Sequence, residues 1–286
     1  MTIAPDRFTG FVAIDWSGAH GTAHDGIRVA MCTIGHAAPV IVAPPGRAWS
    51  REGVADWVLE HAAEPLLIGF DFSFSAPFVT RGAHLPGDRV TQDARELWTY
   101  VDESADDPDL GARSFLEARR GTHFYFGAAD GRKADFLHWR ACEIAADGGR
   151  KPSTVYDAIG ASQVAKASFA GMRMLRRLDG RIAIWPFDRV PATGATVVEI
   201  YTSIAARAAG RPRGRSKMRN AEALDDALVA LDSDRHAPLA RYDDHSTDAI
   251  LTAAWLRGVR DRADLWDPPG LSPRIARTEG WTFGVA

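Results

Sequence analysis

Hydrophobic and polar positions along the chain follow two periods. Phe11-Val12-Ala13-Ile14 and Leu66-Leu67-Ile68-Gly69-Phe70 are apolar runs of strand length, each closed by an aspartate, Asp15 and Asp71. Further strand-like runs cover residues 27–34 and 40–42, the latter stopped by Pro44-Pro45. Ser50 is placed to cap a helix running to about residue 63, with Val54, Trp57, Val58 and His61 on one face. The first three strands are joined by short loops and are predicted to be antiparallel. The fourth follows a helix, so it is predicted to cross over and lie parallel beside the first. Residues from about 90 to 178 read as mostly helical, with candidates at 91–101, 112–120, 133–146 and 155–178, a stop at Gly148-Gly149 and an interruption near Gly160. Strands are predicted again at 181–185 and 196–201, and helices at 220–231 and 244–260. The stretch from 267 onward is rich in Pro and Gly and is predicted to be irregular.

The acids stand out against this pattern. Strand interiors rarely carry charge, because an unpaired buried carboxylate is costly. Yet Asp15 and Asp71 close two strands predicted to be adjacent, and Glu199 falls late in the run Ala195-Thr196-Val197-Val198-Glu199. Adjacent strands lie roughly 4.8 Å apart, so Asp15 and Asp71 can share an ion. Asp244 and Asp248 are one helical turn apart, and their stripe continues into Leu251 and Trp255, so it faces the core. Taken singly, most of these acids have plainer roles. Asp15 and Asp71 suit turns, Asp243 or Asp244 suits a helix cap, and Glu199 suits an exposed edge. Together they suggest a carboxylate cluster at a sheet edge, the donor set that holds Mg²⁺ or Mn²⁺.

Composition narrows the class. The 286 residues are 46% hydrophobic and 25% charged, an ordinary globular balance. No linker divides the chain, so residues 1–286 are expected to form a single domain with a helical insertion at about 90–178. Formal net charge is −3, so contact with nucleic acid requires a local basic patch. Cys32 and Cys142 are the only cysteines and read as buried thiols. Neither a secretory apolar segment nor a membrane-spanning run is evident, and the expected location is cytoplasmic. The nine histidines show no metal-binding spacing, and His245 beside Asp244 is the one of interest. Trp16 should point away from Asp15 into the core by strand alternation.

Four motifs, in order, resemble those of a family of predicted RNase H-like nucleases (domain of unknown function 429). They are Ala13-Ile14-Asp15-Trp16-Ser17-Gly18, Gly69-Phe70-Asp71-Phe72-Ser73-Phe74-Ser75-Ala76-Pro77, Glu199-Ile200-Tyr201, and Asp248-Ala249-Ile250-Leu251-Thr252-Ala253-Ala254. The closing Glu279-Gly280-Trp281-Thr282-Phe283-Gly284 is also similar to the family's ending. Two positions depart from the family pattern. Thr202 stands where Pro is common, and Phe72 stands in place of the Pro after the second Asp. Leu224-Asp225-Asp226-Ala227 mimics the final-helix motif, and Asp226 is read as a solvated helix face. The resemblance implies an α/β fold, with an RNase H-like mixed sheet flanked by helices and a helical insertion between the fourth and fifth strands. It also implies phosphodiester hydrolysis with Asp15, Asp71, Glu199 and Asp248 as catalytic carboxylates. The metal-binding set adds Asp244, and the cofactor is Mg²⁺ or Mn²⁺.

The clearest basic segment follows the Glu199 strand, with Arg211, Arg213, Arg215, Lys217 and Arg219 at alternate positions. It suggests a loop contacting the phosphates of DNA or RNA. Arg140 and Glu143 read as an intrahelical pair. Two other readings remain open. Asp15-Trp16-Ser17-Gly18 suits an actin- or sugar-kinase-like phosphate turn, although no second such turn is visible. A non-catalytic metal-dependent binding protein would use the same acids.

Overall fold

The computed structural model describes residues 3–146, 153–159, 164–212 and 217–286. Its strands are β1 (Gly10–Asp15), β2 (Arg28–Thr33), β3 (Val40–Ile41), β4 (Leu66–Phe70), β5 (Ala183–Ile184) and β6 (Thr196–Glu199). They form one six-stranded sheet in the order β3-β2-β1-β4-β6-β5. β1 pairs antiparallel with β2, and β2 with β3. β4 runs parallel to β1, and β6 runs parallel to both β4 and β5. The expected β1–β4 adjacency is therefore present, and the end of β1 lies at the C-terminal edge of the parallel strands. The two edge strands, β3 and β5, span only two residues each.

Each face of the sheet carries its own apolar cluster, because successive side chains alternate between faces. Val12, Ile14, Ile68, Phe70 and Val197 point to one side. There they meet α1 (Arg51–Glu60), α2 (Ala94–Ser104), α3 (Arg113–Glu117) and α5 (Val164–Leu178). Phe11, Ala13, Leu67, Val198 and Ile200 point to the other. That face is covered by α6 (Thr202–Ala208), α7 (Ala221–Ala230), α8 (Asp244–Val259) and α9 (Ala263–Trp266). In α8 every residue from Ser246 to Arg257 is buried, which is why its sequence shows no polar face. Gly69 lets this helix approach. A Cβ there would lie 2.7 Å from Ile200 Cγ2 and 3.1 Å from Leu256 Cδ1.

Caps fix several helix starts. The side chains of Ser50, Asp93, Asn220 and Asp243 accept from Gly53 N, Glu96 N, Ala223 N and Ser246 N. Asp93 thus delays α2 by three residues from the predicted start. The predicted helix at 133–146 divides into a 3₁₀ turn, Lys133–Phe136, and the short α4 (Ala141–Ala145). Residues 155–159 do not join α5. They bridge to the loop before the 3₁₀ turns, with Tyr125 N donating to Tyr156 O and Ala158 N to Tyr125 O, both at 3.0 Å. The tail is more ordered than its composition suggests. It contains α10 (Pro273–Thr278), and Trp281 and Phe283 are buried in the α8-side cluster.

Candidate functional site

Strand register places the two aspartates together. Ile14 pairs with Phe70, so Asp15 and Asp71 come next on neighbouring strands, and the Asp71 N–H donates to Ile14 O at 3.0 Å. By alternation both lie on the face covered by α8, as do Ala13 and Gly69. α8 brings Asp248 to the same place, and the negative charge of Asp248 bears on both Asp15 and Asp71. Asp243 takes the cap, which leaves Asp244 in the first turn.

The three acids are partnered unequally. Asp15 Oδ2 lies 3.1 Å from His245 Nδ1. Asp248 Oδ2 accepts from Lys217 Nζ at 2.7 Å, and the same ammonium lies 3.6 Å from Asp244. Arg219 pairs with Asp244 at 2.5 Å. Asp71 has only Thr202, whose backbone N–H and hydroxyl donate to it, the hydroxyl at 3.3 Å. Among the described residues no cationic side chain pairs with Asp71. Burial, then the charges of Asp15 and Asp248, push its carboxyl well above the ordinary range. Burial also raises Asp15 and Asp248, against the lowering effects of His245 and Lys217. The bond to Asp15 raises His245 in turn.

Glu199 does not join them. It pairs in register with Phe70, one residue before Asp71, so it points to the opposite face of the sheet. There it is held by the guanidinium of Arg140, at 2.5 Å from Nη2 to Oε1 and 2.7 Å from Nη1 to Oε2. Phe74 N and Thr282 Oγ1 also donate to it, at 2.7 and 2.5 Å. Arg140 is fully enclosed and additionally binds Glu143 at 3.0 Å and Glu279 O at 3.1 Å. The expected Arg140–Glu143 pair therefore exists, and Glu199 is its larger partner. Every carboxylate oxygen of this group is met by a donor, so it serves as a buried clasp between β6, α4 and the tail.

The basic segment also reads differently in three dimensions. Lys217 and Arg219 fold back onto Asp248 and Asp244 instead of offering free charge to a phosphate. Arg211 is half-buried just past α6. Arg213 and Arg215 lie outside the described residues. Asp226 is exposed on α7, as its pattern suggested. Trp16 is buried, edge-on to Phe70, and its indole N–H donates to Ala167 O at 3.2 Å. Cys32 and Cys142 are free and buried, and burial pushes their thiols up to about 11 and about 12. The groups that sequence reasoning missed are Thr202 and Lys217 as partners of the acids.

Among the described residues, no group of three or more His, Cys, Asp or Glu side chains is gathered tightly enough to hold a metal ion as it stands. None of their helices is long and apolar enough to cross a membrane. No family model, no curated protein and no solved structure matches this chain.

Proposed function

We propose that the chain is a divalent-metal-dependent hydrolase of phosphodiester bonds in nucleic acid, built on an RNase H-like sheet with a helical insertion before β5. The reading rests above all on Asp71. It is a half-buried carboxylate with no cationic partner among the described residues, facing two further carboxylates at one end of the sheet. Such an arrangement costs stability, since desolvation and like charge both oppose ionisation. A cation offsets that cost, and three hard oxygen donors suit Mg²⁺ or Mn²⁺. The sheet order and the sequence motifs support the same fold.

In this reading Asp15, Asp71 and Asp248 hold the ion or ions, with Asp244 alongside, and Glu199 is assigned to the clasp. When bound, the metal supplies an activated water and stabilises the leaving oxygen. Thr202 orients Asp71, and His245 orients Asp15. Lys217 occupies the carboxylate of Asp248 and must release it for the donors to close. Its ammonium then lies beside the site, where it suits a substrate phosphate.

The test is cleavage of labelled single-stranded and duplex DNA and RNA with Mg²⁺ or Mn²⁺. Asp15→Asn, Asp71→Asn and Asp248→Asn are each expected to abolish cutting while leaving a folded protein. Asp226→Asn should cut like the wild type. Cutting that survives all three site substitutions would remove the reading.

A further inference from the structure

Of the nine Trp, five Tyr and 13 Phe, all are buried or half-buried except Tyr201, which is 42% exposed. One exposed tyrosine is ordinary in itself. Its place in the fold sets it apart.

Tyr201 follows β6 at the end of the sheet where Asp15 and Asp71 lie. The Ile200 N–H donates to Phe70 O at 2.9 Å, so the chain still pairs with β4 one residue earlier. Ile200 is buried in the α8-side cluster, and Thr202 turns its hydroxyl to Asp71 at 3.3 Å. Tyr201 stands between them and by alternation leaves the chain on the other side. There it emerges at the sheet end instead of entering the core.

The same geometry bounds its distance from the acids. The Thr202 N–H donates to the Asp71 carboxylate. Two bonds, of about 1.5 and 1.3 Å, separate that nitrogen from the Tyr201 Cα, and a hydrogen bond adds roughly 3 Å. The Tyr201 Cα therefore lies within about 6 Å of the Asp71 carboxylate.

Tyrosine is also a poor local choice here. Tyr201 occupies the cap position of α6, where Ser, Thr, Asp or Asn would hold the free N–H groups of the first turn. Its side chain makes no cap bond. A residue that breaks a local rule without a structural return is expected at functional places. A ring face open to water beside a phosphate-handling site is a surface on which a nucleic-acid base stacks, whatever its sequence, because every base has a π-face. A base inside a duplex is already covered on both faces by its neighbours. The ring therefore takes a base that is unpaired.

We propose that Tyr201 is the stacking platform for an unpaired base beside the bond held at the acids, and that the preferred substrate is a single strand of DNA or RNA. This rests on the hydrolase reading and adds to it the form of the substrate. Tyr201 positions the strand and takes no part in the bond chemistry.

The test reads fluorescence anisotropy of fluorescein-labelled single-stranded DNA and RNA 15-mers and a matching duplex, in EDTA so that nothing is cut. Tyr201→Ala and Tyr201→Leu are expected to weaken single-strand binding roughly 5- to 150-fold, the range for losing one stacked base. Tyr201→Phe keeps the ring and should bind like the wild type. The slope of log K against log salt should stay the same in all three, because stacking releases no counterion. Duplex binding should change far less, and thermal melts should shift little. Equal loss in Tyr201→Phe, equal loss on the duplex, or a salt slope that falls with affinity would overturn the platform. So would single-strand binding that is unchanged in Tyr201→Ala or absent from the wild type. If the variants bind as expected but the wild type cuts nothing with Mg²⁺ or Mn²⁺, the platform stands and the hydrolase reading fails. If the wild type cuts and Tyr201→Ala binds and cuts single strands equally well, the hydrolase reading stands and the platform fails.

Discussion

Asp71 is the residue at which stability and proposed function pull apart. Its carboxyl is raised, so the folded state holds a proton more tightly than the unfolded chain does. Stability from this group is present below the unfolded value, roughly 3.9, and is lost as pH rises through the folded value. In EDTA at neutral pH, Asp71→Asn should therefore melt higher than the wild type. Its advantage should shrink as pH falls toward 4, which a series of thermal melts will show. Arg140 gives the opposite outcome. Arg140→Ala strands Glu199 and Glu143 without their counter-charge, and breaking a buried pair costs about 3–5 kcal/mol. Urea unfolding should show that loss, whereas a surface arginine such as Arg262 should show almost none. Asp15 and Asp71 were legible in sequence because each closes an apolar run. Glu199 met the same criterion, and its destination was hidden. Val197 and Val198 are both buried, so alternation within β6 did not reveal which face is which. Its partner Arg140 is 59 residues away in a segment with no strand pattern.

At the scale of elements, α8 is the piece that completes the site, and Gly69 sets how near it lies. Gly69→Ala inserts a methyl against Ile200 and Leu256. Overpacking of this kind costs about 1–3 kcal/mol. The expected result is a lower denaturation midpoint together with weaker Mn²⁺ stabilisation, because Asp248 moves with the helix. The antiparallel opening strands and the parallel β1–β4 pairing could be read from run lengths and crossovers, and so could α7 and α8, whereas the place of β6 beside β4 with β5 outside it could not. The 155–159 segment was not readable. Its bridge to Tyr125 is non-local and overrides a helical pattern. The tail misled for another reason. Its Pro and Gly residues punctuate short helices, while Trp266, Trp281 and Phe283 supply the burial that orders them.

For the whole molecule, a cation that binds only the folded state stabilises it by mass action, by about 2.7 kcal/mol at a hundredfold excess over Kd. Melting temperature should therefore climb with Mn²⁺ concentration in the wild type and stay flat in Asp71→Asn. An equal climb in both would place the ion elsewhere. The sheet has a separate consequence at this scale. β3 and β5, at its two margins, are only two residues long, and Pro44-Pro45 follows β3 closely. An open margin is a template on which a foreign strand can add, and short edges with nearby proline deny it length. The long apolar runs that carry Asp15 and Asp71 sit in the middle of the sheet, paired on both sides. The segments most prone to cross-β stacking are thus sealed in the native fold. Aggregation should begin from unfolded chains and not from the native surface, so its rate should follow the unfolded fraction.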